Sequence, residues 1–226
     1  MSTTSSTSSF DDKIPQVMLL DWDDTILPTT WLLSGQHSPS QVLHAMVSLD
    51  QVIVRWLRLL ETQFNTHVVM VTNAAEEHVQ HSLRRYLPHT RAAILARHIP
   101  IVSARDLYSG LHPHSTSTWK KLAFHRVLAQ LAKMHSLPRH TRVLIFGDGP
   151  DEMAAGEGLK KHGMDVVLLK GAPTPSPQVV EEQLDGVILG RKAVTPHGVL
   201  ARRRHVGRGR APGLIRVSHT SLGGRV

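Results

Sequence analysis

Two hydrophobic rhythms run along the chain. Short apolar runs at Val17–Leu20 and within His67–Val71, Arg142–Phe146 and Asp165–Leu169 have the composition of strands buried on both faces. Ile99–Val102 reads as a further strand, although Pro100 interrupts it. Helical spacing fills the intervals. After Ser40, read as a helix cap, Val42, Leu43, Met46, Val47, Ile53, Trp56, Leu57 and Leu60 recur at roughly helical intervals. Ala74–Tyr86 reads as a helix stopped before Pro88. Trp119–His135 carries Leu122, Phe124, Val127, Leu128 and Leu131 on or near one face. Met153–Gly163 and the shorter Gln178–Leu184 complete the helices, and Leu27–Ser40, with Pro28, Gly35 and Pro39, reads mostly as loop. Alternating strands and helices predict an α/β fold with a mainly parallel sheet covered on both faces.

Charge divides this picture. The net charge is +8, yet nine of the 26 basic residues lie from Arg191 onward and no acidic residue follows Asp185. The first 190 residues are therefore close to neutral, and a claim of nucleic-acid binding from overall basicity would be misplaced. The organisation expected is a Ser/Thr-rich leader at 1–14, one α/β domain at 15–190 and a flexible basic tail at 191–226. No apolar run approaches the ~20 residues of a membrane span. The absence of cysteine excludes disulfides, zinc–thiolate sites and cysteine nucleophiles. An intracellular location is expected, cytoplasmic with the nucleus as the alternative.

Polar clusters follow three of the strands: Asp21-Trp22-Asp23-Asp24-Thr25, Thr72-Asn73 and Gly147-Asp148-Gly149-Pro150-Asp151-Glu152. In parallel sheets ligands sit at the carboxyl ends of the strands. Asp21 and Asp23 can turn toward one ligand, and two such carboxylates call for a cation, for which oxygen-seeking Mg²⁺ is suited. One carboxylate can attack phosphorus, and the other can protonate the leaving alkoxide and then deprotonate water. Thr72 can donate to a phosphoryl oxygen, with Asn73 beside it. Lys120 or Lys121 can supply positive charge, and Asp148 can complete the metal site.

Asp21-x-Asp23-x-Thr25, Thr72 at a strand end, Lys120 at a helix start and Gly147-Asp148 with nearby acids resemble the four motifs of the haloacid dehalogenase (HAD) superfamily. The resemblance covers roughly residues 15–190. It implies a Rossmann-like three-layer core, Mg²⁺ at its carboxyl edge and Asp21 as the nucleophile of an aspartyl-phosphate mechanism. Asp23 places the resemblance on the phosphatase and phosphomutase side, and its backbone carbonyl is implied as a metal ligand. Asp151 or Glu152 would add a second, water-mediated metal contact beside Asp148. Lys120 lies closer to the helix start than Lys121.

The intervals Ile26–Val71 and Thr72–Lys120 are too short for a large lid, so the cap is expected to be small or absent. An open site would admit a macromolecular or a small phosphoester, with Leu27–Gln36, including Trp31, as the local specificity loop. A phosphomutase would need a cap. The alternative reading is a non-catalytic HAD-like scaffold whose Arg/Gly-rich tail binds RNA or an acidic partner weakly, through charge. The pairs His78/His81 and His112/His114 read as solvated surface.

Overall fold

The computed structural model describes residues 15–135, 141–193 and 216–218; the expected leader and most of the expected basic tail lie outside them. The chain opens with β1 (Gln16–Leu20), α1 (Thr29–Leu33), α2 (Pro39–Phe64) and β2 (Thr66–Thr72). Then come α3 (Glu76–Tyr86), α4 (Pro88–Ala96), β3 (Ile101–Ser103), α5 (Ala104–Tyr108) and α6 (Thr116–His135). It continues through β4 (Arg142–Gly147), α7 (Pro150–Lys161), β5 (Val166–Lys170), α8 (Pro177–Ala193) and β6 (Arg216–Ser218).

One sheet runs in the order β3-β2-β1-β4-β5-β6. The first five strands are parallel, and β6 closes the edge antiparallel to β5. The continuous apolar runs are what this arrangement demands, because alternate residues of each strand face opposite helical layers. Met18, Leu20, Val68, Met70, Leu144 and Phe146 pack into a core with residues of α2, α3 and α8. Val17, Leu19, Val69, Val71, Val143 and Ile145 pack on the other side against α6 and α7. The result is the three-layer, Rossmann-like sandwich that the alternation predicts. No inserted domain overlies the carboxyl edge among the described residues.

Element boundaries differ from the sequence reading for local reasons. Ser38, not Ser40, caps α2: its side chain accepts from Gln41 N, the Gln41 side chain accepts from Ser38 N, and Pro39 occupies the first turn. Leu43 and Val47, counted with the apolar stripe, are exposed. Part of the expected loop at 27–40 is the helix α1. The last helix runs well beyond Leu184 because Val187 and Ile188 continue its buried face. Arg216–Ser218, within the segment read as tail, pairs with β5. No helix among the described residues is long and apolar enough to cross a membrane.

A helix that the sequence reading does not contain, α4, owes its start to a distant residue. Asp50, buried on α2, accepts hydrogen bonds from His89 N (2.8 Å) and Thr90 N (2.7 Å). These are first-turn amides with no partner inside the helix, and a carboxylate there also complements the helix dipole. Asp50→Ala is expected to cost about 2–3 kcal/mol, seen as a lower urea midpoint; an unchanged midpoint would show that water replaces the carboxylate.

Candidate active site

The strand order reverses beside β1: the chain steps outward through β2 and β3, then returns to place β4 on the other flank of β1. A crevice therefore opens at the carboxyl ends of β1 and β4. Asp21 follows β1 and Asp148 follows β4, with Thr72 ending β2 alongside. All three line a cleft of about 550 Å³, together with Asp23, Asn73, Asp151 and Glu152. Three polar clusters widely separated in sequence thus share one cavity.

Strand parity aims Asp21. It continues the alternation of Val17 and Leu19, which face the layer containing α6. From that layer Lys120 reaches in, fully buried, with Nζ 2.6 Å from Asp21 Oδ1 and 2.7 Å from Glu152 Oε1. Nζ also donates to the carbonyl of Val71 at 2.8 Å. Lys120 is chosen over Lys121 by the helix stripe: Ala123, Phe124, Val127 and Leu131 fall three, four, seven and eleven residues after it, and all are buried. Lys121, about 100° further round, is exposed.

All three protons of the Lys120 ammonium are committed to protein acceptors. Lys120 therefore acts here as a buried counter-charge that orients Asp21. A direct bond to a phosphoryl oxygen requires it to release one of these partners. Glu152, in the first turn of α7, is drawn into this ion cluster. Space for it comes from two glycines: a Cβ on Gly147 would lie 2.6 Å from Glu152 Cγ, and one on Gly149 2.7 Å from Oε2. Asp151 points to a different neighbour and accepts from Asn73 Nδ2 at 3.2 Å. The Asn73 amide also lies 3.5 Å from the carbonyl of Thr116.

Two carboxylates share the single Lys120 cation, and burial adds to the imbalance. Burial pushes the Asp21 carboxyl up to about 7, with the Glu152 charge raising it further against the opposing pull of Lys120. Burial and Glu152 likewise push Asp148 up to about 6. For Lys120 burial works downward, but Asp21 and Glu152 overcome it and hold the ammonium above its ordinary value.

The segment after β1 is a tight loop. Trp22 O accepts from Ile26 N (2.9 Å) and Leu27 N (3.0 Å), and Asp24 N donates to Leu27 O (2.8 Å). Asp24 adopts a left-handed conformation (φ 49°), which short polar side chains tolerate. Its carboxylate accepts from Thr30 N (2.9 Å) and Thr30 Oγ1 (2.5 Å), tying α1 to the loop. Thr29 Oγ1 donates to Asp23 Oδ1 at 2.5 Å, which fixes that carboxylate at the cleft. Thr25, buried, lies 3.4 Å from Asp148 Oδ1. The local segment thus presents Thr29 to the cleft, whereas Trp31 stacks on His37, ring centroids 4.1 Å apart. Thr72 Oγ1 accepts from Ala74 N (3.0 Å), and its hydroxyl proton remains to be donated.

Two further residues line the cleft without having been singled out as site candidates. His78, half exposed on α3, brings Nε2 to 3.7 Å from Asp23 Oδ1. Arg105 on α5 lies on the same rim. Neither carries a motif; each reaches the site because its helix starts near a strand end.

Six carboxylates line the cleft, and the donor chemistry suits a hard dication. Among the described residues no three His, Asp or Glu groups gather into a ready-made metal cage. Mg²⁺ does not require one, since it commonly takes one or two carboxylates and retains water. Asp21 and Asp148, each held above the usual carboxylate range by its surroundings, fit that role. No protein-family model matches the chain, nor does any curated protein or solved structure.

Proposed function

We propose that this chain is a Mg²⁺-dependent phosphomonoester hydrolase that works through an aspartyl phosphate on Asp21. The observation that carries the reading is the buried Lys120 ammonium, 2.6 Å from Asp21 Oδ1, on the crevice that Asp148 also lines. A strand-end carboxylate held by a buried cation, beside a second carboxylate on its own loop and a third on the neighbouring strand, has the parts of a two-step phosphoryl transfer.

In the first step Asp21 attacks phosphorus and the ester P–O bond breaks. Asp23, positioned by Thr29, gives its proton to the leaving oxygen. In the second step Asp23 takes a proton from water, the water oxygen attacks phosphorus, and inorganic phosphate leaves as the Asp21 carboxylate is restored. Thr72 donates its hydroxyl proton to a phosphoryl oxygen. Lys120 holds Asp21 in line and offsets charge, and Glu152 holds Lys120. Mg²⁺, held by Asp21 and Asp148 with the Asp23 carbonyl, would neutralise charge on the phosphoryl oxygens. The open cleft suits either a small phosphoester or one presented by a macromolecule.

The test is hydrolysis of an aryl phosphate by the full chain with Mg²⁺ and after chelation. Turnover that chelation abolishes is expected; its absence in both conditions would leave the scaffold reading. Metal affinity should also follow pH. Asp21, at about 7, and Asp148, at about 6, must both lose protons to ligate. Protons therefore compete below neutrality, and Mg²⁺ affinity is expected to fall roughly 500-fold from pH 7 to pH 5. Calorimetric titration at the two values checks this; a pH-independent affinity would place the metal on other groups.

A further inference from the structure

Arg105 carries no ion pair among the described residues, whereas Arg97, Arg142 and Lys160 elsewhere on the molecule each hold a carboxylate. It is exposed and lines the cleft, where six of the other fourteen lining residues are acids. Its backbone is anchored from both sides. Ser103, two residues before it, donates from Oγ to Ala74 O at 2.7 Å and accepts there from Asp106 N at 3.0 Å. Asp106, one residue after it, accepts from Glu76 N through Oδ2 at 2.8 Å. These bonds join α5 to 74–76, the segment that leads from Thr72 into α3. Arg105 thus presents an uncommitted guanidinium, from an anchored backbone, at the rim of the cleft.

We propose that Arg105 is the specificity-determining residue of this cleft, and that it selects phosphomonoesters bearing a carboxylate on the part of the molecule remote from phosphorus. This rests on the phosphohydrolase reading. A neutral leaving group gains nothing from Arg105. An anionic one would be repelled by Asp23, Asp24 and Asp151 unless its charge met the guanidinium. A guanidinium fork matches the two oxygens of a carboxylate, and its single charge balances a single negative one. A second phosphate would bring a second negative charge into a cleft that already holds six carboxylates.

The test measures binding in the presence of Mg²⁺, so it does not depend on turnover. Propylphosphonate and 3-phosphonopropionate share a phosphonate and differ by the terminal carboxylate. By calorimetry the native chain is expected to bind 3-phosphonopropionate about tenfold more tightly. Arg105→Ala should bring that ratio close to one, and Arg105→Lys should keep part of it. Arg105→Glu should shift preference to 3-aminopropylphosphonate, a reversal that a merely structural role for Arg105 would not produce. Equal binding of the first pair by the native chain, or a preference that survives in Arg105→Ala, overturns the proposal. Aryl phosphate turnover is scored separately. Turnover without an Arg105-dependent preference removes this inference alone; the preference without turnover removes the hydrolase reading alone; no turnover together with no phosphonate binding removes both.

Discussion

On the proposed mechanism, Asp21→Asn is expected to lower aryl phosphate hydrolysis by at least about 10⁴-fold. The amide is nearly isosteric with the carboxylate but cannot form the acyl phosphate. The fold survives because Lys120 keeps Glu152 and the Val71 carbonyl, so the buried cluster becomes one cation and one anion. Stability adds a second readout. The native Asp21 carboxyl, at about 7, lies far above its ordinary value. The folded state therefore binds this proton more tightly than the unfolded chain does. The stability it contributes is complete below about pH 4 and is lost as pH rises through about 7. Asp21→Asn removes that decline, so urea unfolding at pH 5 and pH 8 should give midpoints closer together than in the native chain. Native-like turnover in the variant would exclude Asp21 as nucleophile, and an unfolded variant would contradict the charge balance drawn for the cluster.

Lys120→Met is expected to cost about 3–5 kcal/mol, because it leaves the Asp21 and Glu152 carboxylates buried and facing one another without a cation. Against the roughly 5–15 kcal/mol that holds a typical domain together, this brings the chain near unfolding at neutral pH. If charge is the reason, adding Glu152→Gln to the same chain recovers part of the loss. A double variant no more stable than Lys120→Met would mean that packing, and not charge, sets the cost. Denaturant midpoints for the three chains decide between these outcomes.

The sheet was legible because its central strands carry apolar residues on both faces: Val17–Leu20, 68–71 and 143–146 are unbroken apolar runs. The polar residues after those strands were legible for the same reason, since a run that ends abruptly in acids marks a strand end facing solvent. The choice between Lys120 and Lys121 was also present in the sequence, in the spacing from Lys120 to Ala123, Phe124, Val127 and Leu131, and it needed only helix geometry. Gly147 and Gly149 carried a signal as well, since paired small residues before Glu152 mark a close approach.

Other features left no local trace. The start of α4 depends on Asp50, 40 residues from Thr90, and no window of sequence joins them. Asp24 offered no chemical clue because its work is conformational, in a left-handed turn tied to Thr30. His78 and Arg105 are ordinary surface residues by composition. Only the start of α3 and α5 at the carboxyl edge makes them neighbours of Asp23 and the cleft. β6 is three residues long in a basic stretch without periodicity, so nothing in its pattern separates it from its surroundings.

The placement of β1 has a consequence for how the protein is made. This strand takes one neighbour from residues 66–70 and the other from residues 142–146, so its second flank stays bare until most of the chain has left the ribosome. Asp21 meets Lys120 across 99 positions, and Thr25 meets Asp148 across 123. A nascent chain that has not yet supplied β4 carries the acidic motif without the crevice around it. The crevice is therefore completed late, when the middle of the sheet closes, and a product terminated before β4 lacks the Asp148 side of it.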